Sequence, residues 1–370
     1  MPPLSIMLKP ASGMCNMRCD YCFYHDETAR RAVASYGFMT EETLKNVIRR
    51  TMPRAEGYIS YACQGGEPTL AGLDFFKTLV RLEKQYNRNG VQVQNALQTN
   101  GLLLDEEWCS FLKENGFLVG LSVDGTCAVH DLYRKDRANQ GTFARVHHAA
   151  QLMQKTGVEF NILTVVTADV CCHIEEIYAY YKQNGWMYQQ YIACLEPMEG
   201  EAGGPWSLQP EEYGSFLIRL FDLWYQDVQQ GRQPFIRRFD NYVALSAGYI
   251  PEACDQRGTC GLQYAVEADG SVYPCDFYMT DAYRLGNLNQ DRLDGVDAKR
   301  REIGFIERSL KQSEECRACP YFYLCRGGCY RNRAAEETVG KDRLCAGYRM
   351  FFEACADRIR ALGQAVLRSR

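Results

Sequence analysis

Residues 14–25 read MCNMRCDYCFYH and place Cys15, Cys19 and Cys22 in a C-x3-C-x2-C run. Three thiolates are one too few for a closed tetrahedral metal site. Two completions are chemically reasonable. One is zinc with a fourth ligand such as His25. The other is a [4Fe–4S] cluster on three thiolates, whose open iron binds a small molecule through an amino group and a carboxylate. The aromatic Tyr21 just before the last cysteine makes the pattern more specific and favours the cluster. The run follows a β-rich stretch, LSIMLKP (4–10), so it is expected on the loop after the first strand.

Working outward, β-rich runs recur at 58–64, 91–99, 117–125, 158–167 and 187–195. Helical patterns fall between them near 40–52, 73–88, 105–115, 142–156 and 171–184. The repeat is roughly 25 to 35 residues, as successive βα units with right-handed crossovers require. Runs such as FNILTVV are apolar almost throughout, which suits strands covered on both faces. Six units rather than eight imply an α/β fold with a partial (β/α)6 TIM-like barrel. Chemistry is then expected at the C-terminal ends of the strands. A further helix is expected over 210–231, closed by Gly231 and Pro234. Beyond it the texture becomes Cys-rich and turn-rich, so the domains are expected to divide at 1–235 and 236–370, the second ending in an amphipathic helix.

The 370-residue chain is 46% hydrophobic and 24% charged, enough for a large core. A net charge of -4 argues against nucleic acid and anionic membranes as partners. No run of about 18 apolar residues is present. The start, MPPLSIMLKP, lacks a signal peptide's features, so a cytoplasmic location is expected. Of 18 cysteines, three lie within 15–22 and eight within 254–345; the remaining seven read as thiols without a role.

QGGEPTL (64–70) follows the second strand, and Gly65 and Gly66 permit close backbone approach to a ligand. Together with the cysteine run this resembles the radical S-adenosylmethionine (SAM) superfamily. The resemblance implies that the three cysteines hold a [4Fe–4S] cluster. It also implies that Tyr21, Gly66, Ser122, Arg134 and Leu195 contact SAM: the GGE backbone its amino group, Ser122 and Arg134 its ribose and carboxylate, Leu195 its adenine.

The downstream cysteines are Cys254, Cys260, Cys275, Cys316, Cys319, Cys325, Cys329 and Cys345. Eight suit two fully ligated [4Fe–4S] clusters, or two structural zinc sites. The pattern resembles the SPASM domain of peptide-modifying radical SAM enzymes. By that resemblance Cys254, Cys260, Cys275 and Cys329 hold one cluster, and Cys316, Cys319, Cys325 and Cys345 the other. Asp276, beside Cys275, is a candidate general base or a turn anchor.

KPASGMCNMRCDYCFYH, QGGEPTLAGLDFF, LQTNG, FLVGLSVDG, VEFNILTVVT and ADGSVYPCDFY narrow the likeness to the anaerobic sulfatase-maturating enzymes. The resemblance runs over nearly the whole chain and implies oxidation of a sulfatase Cys or Ser to Cα-formylglycine. It implies Asp276 as catalytic base, SAM and three [4Fe–4S] clusters as cofactors, and a sulfatase polypeptide as partner. An electron donor such as flavodoxin or ferredoxin is also implied. The stretch MEGEAGGPWS (198–207) matches less well and is expected to face substrate. One rival is another SPASM enzyme, making a thioether, cross-link or epimer. Such enzymes often carry an added peptide-recognition domain, for which a first strand by residue 4 leaves no room. The other rival is a zinc-binding or electron-carrier module.

Overall fold

The structure, a computed structural model, describes residues 3–198, 203–335 and 338–368. Its contacts divide it into two compact units. The first takes Met1–Val123, Asp131–Asn161 and Leu262–Gly304. The second takes Asp124–His130, Ile162–Gly261 and Phe305–Arg370.

Six strands alternate with helices, as the periodicity predicts: β1 (Leu4–Leu8), β2 (Tyr58–Cys63), β3 (Gln92–Thr99), β4 (Leu118–Ser122), β5 (Phe160–Val166) and β6 (Tyr188–Ala193). In the first unit β1, β2, β3 and β4 pair in parallel and in sequence order, with Leu8 opposite Cys63 and Cys63 opposite Leu97. Parallel register brings the C-terminal ends of these strands to one edge, where the loops at Lys9, Gln64, Asn100 and Ser122 begin. In the second unit β5 and β6 pair in parallel, and β7 (Phe235–Ile236) extends them.

The helices begin and end where local chemistry directs. For α1 (Phe23–Ala29) the preceding residue is Cys22. Thr40 caps α2 (Glu41–Thr51), accepting from the Thr43 N–H, with acids in its first turn and arginines in its last. Asp105 caps the Glu106–Glu114 helix in the same way. The expected 171–184 helix is interrupted at His173, giving Ala168–Cys172 and Ile174–Gln183. A long helix, α3 (Pro210–Gln229), opens with proline at its first turn and a Gln209–Glu212 capping box. It packs in the second unit on α4 (Cys345–Arg368). Gly214 and Gly347 let the two backbones meet, since a β-carbon on Gly347 would overlap the Pro210 carbonyl.

Composition groups residues 262–304 with the downstream cysteines. In space their strand β8 (Tyr264–Val266) pairs in parallel with β1, Ile6 opposite Tyr264 and Leu8 opposite Val266. An antiparallel hairpin partner, β9 (Ser271–Tyr273), follows. Three residues are too few to show a period, so β8 is invisible in the sequence. Its consequence is chemical: the loop after β9 carries Cys275 and Asp276 to the end of β1. Among the described residues no helix is long and apolar enough to cross a membrane.

Candidate active site

The Met14–His25 loop is held from several sides. The Glu67 N–H donates to the Met14 carbonyl at 2.8 Å. Arg137 donates twice to the Cys15 carbonyl, at 3.0 and 2.7 Å. Asn100 donates to the Asn16 side chain at 2.7 Å. The Cys15 sulfur itself receives the Met17 N–H at 3.3 Å and the Asn100 amide at 3.8 Å. Burial pushes the Cys15 thiol up to about 11, and the neighbouring Cys22, also raised by burial, opposes its ionisation further. Thiolates in such a place need a bound cation, and the N–H donors aimed at sulfur are the kind that steady cluster thiolates. His25, the zinc reading's fourth ligand, is exposed. The donor set fits a cluster on three thiolates.

Gly65 and Gly66 have φ of 104° and 53°, left-handed backbone that side chains rarely adopt. A β-carbon at Gly66 would overlap the Met14 carbonyl. The glycine is thus required by the close approach of the cysteine loop, besides leaving room for a ligand. Glu67 is buried and fully engaged, accepting from the Thr69 N–H and hydroxyl, the Thr99 hydroxyl at 2.8 Å and the Asn100 N–H at 2.7 Å. It pins the loop after β2 to the end of β3. Replacing Gly66 by Ala should displace the cysteine loop. We expect SAM affinity to fall by about tenfold or more, read by equilibrium dialysis of the reconstituted protein.

Of the other residues expected to touch SAM, Arg134 is buried and lies 5.5 Å from the centre of the Tyr21 ring. Its charge also favours the Cys22 thiolate. Ser122 ends β4. Leu195, in the second unit, lies just past β6, beside Cys194, whose N–H donates to the Val166 carbonyl at 3.0 Å.

Asp276 is buried in the first unit at the centre of a polar cluster that the motifs do not announce. Lys9, at the end of β1, pairs with its carboxylate. The Tyr24 hydroxyl donates to it at 2.8 Å and the Gln64 amide at 2.7 Å. Lys9 also donates to the Tyr24 oxygen at 2.8 Å. Beside this cluster Arg31 and Glu267 form a second buried pair at 2.5 Å. Sequence reasoning missed Lys9, Tyr24, Gln64, Arg31 and Glu267. The available signal was positional: Lys9 and Gln64 are polar residues at the ends of the first two strands.

Glu27 on α1 is also buried, and burial with the nearby Asp276 carboxylate raises its pKa from 4.5 to about 8, against the pull of Lys9 and Arg31. With Glu27 neutral, two cations face two carboxylates. The sign follows from linkage: a carboxyl group whose pKa is raised by folding favours the folded state below about pH 4.5 and loses that advantage as pH climbs to about 8. Glu27→Gln should therefore flatten a decline in stability that reaches at most about 1.4 kcal/mol per pH unit in that window. Anaerobic thermal unfolding from pH 6 to 9 reads it. Parallel curves for the two proteins would refute the assignment.

Seven of the eight downstream cysteines lie in the second unit, and their mutual electrostatic influences fall into two sets. Cys329 is buried, and Cys254 and Cys260 both oppose its ionisation. Burial raises Cys325 to about 12, with Cys345 and Cys316 adding to it. Cys345 in turn feels Cys316 and Cys319. Cys275, in the first unit, lies near Arg300.

Known proteins resemble this chain over nearly its whole length. The family model of the Radical SAM superfamily matches residues 10–180, and that of an iron–sulfur cluster-binding domain, SPASM, matches 259–320. The chain is 45% identical over 362 residues to the cysteine-type anaerobic sulfatase-maturating enzyme of Clostridium perfringens (strain 13 / Type A), covering 97% of this chain and 98% of that one. It superposes on the solved structure of native anSMEcpe with bound AdoMet at a TM-score of 0.94 and 43% identity, covering 98% of this chain and 100% of the other. With the complex of that protein with AdoMet and Cp18Cys peptide the TM-score is 0.93 at 43% identity, covering 99% and 100%. The fold is accordingly a radical SAM partial barrel followed by a SPASM region, and the chain belongs to the family of anaerobic sulfatase-maturating enzymes.

Proposed function

We propose that this chain oxidises a cysteine side chain in a sulfatase polypeptide to Cα-formylglycine. The observation that carries the reading is the buried Asp276 carboxylate, held by Lys9, Tyr24 and Gln64 beside the thiol loop of the same unit. Support for cysteine over serine comes from the relative named as cysteine-type and from the solved complex with a peptide named Cp18Cys.

In this reading Cys15, Cys19 and Cys22 hold the SAM-binding [4Fe–4S] cluster. Tyr21, Gly66, Ser122, Arg134 and Leu195 contact SAM. Cys254, Cys260, Cys275, Cys316, Cys319, Cys325, Cys329 and Cys345 hold two further clusters, three in all. When bound, SAM and a reduced cluster would supply the one-electron chemistry that takes a hydrogen atom from the substrate β-carbon. Asp276 accepts the thiol proton; the downstream clusters would supply the acceptor for the second electron, and water would replace the sulfur, which leaves as sulfide. Lys9, Tyr24 and Gln64 aim the carboxylate. The functional division falls at 1–235 and 236–370. A flavodoxin- or ferredoxin-like donor supplies electrons, and the protein works in the cytoplasm.

Anaerobic turnover tests this. The reconstituted enzyme, SAM and a reductant are mixed with a Cys-type or a Ser-type sulfatase peptide, and products are read by mass spectrometry. An aldehyde on the Cys peptide with matching 5′-deoxyadenosine is expected. SAM cleavage with both peptides unchanged would retain the radical chemistry and discard the sulfatase.

A further inference from the structure

Two arginines grip the backbone on either side of Leu195. Arg331, two residues after Cys329, donates to the Glu196 carbonyl at 3.0 Å. Arg343, two residues before Cys345, donates to the Cys194 carbonyl and, at 3.2 Å, to the Leu208 carbonyl. The same guanidinium lies 3.5 Å from the Glu196 carboxylate. Glu196 in turn accepts the Gly203 N–H at 2.6 Å and the Ser207 hydroxyl. The two arginine segments are themselves joined, the Arg343 N–H donating to the Asn332 carbonyl at 3.1 Å. All of these residues belong to the second unit.

We infer that Arg331 and Arg343 are positioning residues that tie the backbone flanking Leu195 to the two downstream cysteine loops, so that adenosine affinity depends on those loops. The inference rests on the reading that Leu195 offers its backbone to adenine. The physical case is one of constraint. Leu195 is beyond the last ladder residue of β6, where strand pairing no longer fixes the chain. Backbone groups recognise a purine edge only if their direction is fixed before binding. Charge-assisted bonds from guanidinium to carbonyl supply that direction, and a planar fork reaches two acceptors at once. The Glu196–Ser207–Gly203 contacts then carry the constraint into the described part of the loop after β6. One arginine comes from each neighbourhood of thiols, Arg331 with Cys329 and Arg343 with Cys345. Arg331 holds the Glu196 carbonyl and Arg343 the Cys194 carbonyl, one on each side of Leu195.

The experiment uses the reconstituted protein under anaerobic conditions, with S-adenosylhomocysteine and methionine as two non-reacting probes. Affinities are measured by equilibrium dialysis, and amide hydrogen exchange is followed over 188–208. For Arg343→Ala we expect faster exchange at 194–196 and S-adenosylhomocysteine affinity about tenfold weaker, from the lost charge-assisted bonds. Methionine affinity, which does not use adenine, should stay within about twofold. Arg343→Lys and Arg331→Lys keep one donor each and should lose about threefold. These milder variants decide the matter if the alanine variant loses iron. Faster exchange with unchanged S-adenosylhomocysteine affinity would overturn the inference through the adenine reading of Leu195. Unchanged exchange would overturn it through the clamp itself. Equal losses for both probes would mean a general structural effect and would also overturn it.

Discussion

Asp276→Asn should cut aldehyde formation by about 10² to 10⁴ while SAM cleavage continues, the range general-base removal produces. The substitution keeps the shape of the side chain and its place among Lys9, Tyr24 and Gln64. It removes the negative charge that these donors surround, and with it the acceptor for the substrate proton. The Cys15, Cys19 and Cys22 loop is held by separate contacts from Glu67, Asn100 and Arg137, none of which passes through Asp276. Radical generation and product formation should therefore come apart. Counting 5′-deoxyadenosine against aldehyde in one anaerobic time course reads both. A normal aldehyde yield would remove Asp276 from the mechanism. Loss of both products would assign it to building the site rather than to proton transfer.

The second large effect is expected from Cys15→Ala. This thiol lies in a tightly held part of the loop, with its sulfur receiving two N–H donors and its carbonyl gripped by Arg137. Two thiols cannot retain a four-iron cluster stably, so iron should fall from about twelve to about eight per chain. SAM cleavage should become undetectable. The eight downstream cysteines are untouched, so the brown colour should fade rather than vanish. Retained SAM cleavage, or iron unchanged, would show that Cys15 is not a ligand. A colourless zinc-containing wild type would remove the cluster chemistry altogether.

The sequence by itself determined the elements whose code is local. Cysteine spacing within Met14–His25 constrains what the loop can bind, because ligands a few residues apart cannot separate far. Alternation of apolar runs and amphipathic helices gave the six βα units, since burial on both strand faces and on one helix face writes a period into the chain. Gly65 and Gly66 were legible because each answers to its own backbone. Only the tertiary structure decided the surroundings of Asp276. Its partners stand 267, 252 and 212 residues away in sequence. They meet because a three-residue strand, too short to carry a period, pairs with β1. Nor does spacing say which thiols couple: Cys329 follows Cys325 closely, yet Cys254 and Cys260 are the thiols that oppose its ionisation. The same holds for Glu27, Arg31 and Glu267, and for the arginines around Leu195. Buried charges are stable only with partners that folding brings to them, and the partners in the Lys9–Asp276 and Arg31–Glu267 pairs stand 267 and 236 residues apart in sequence.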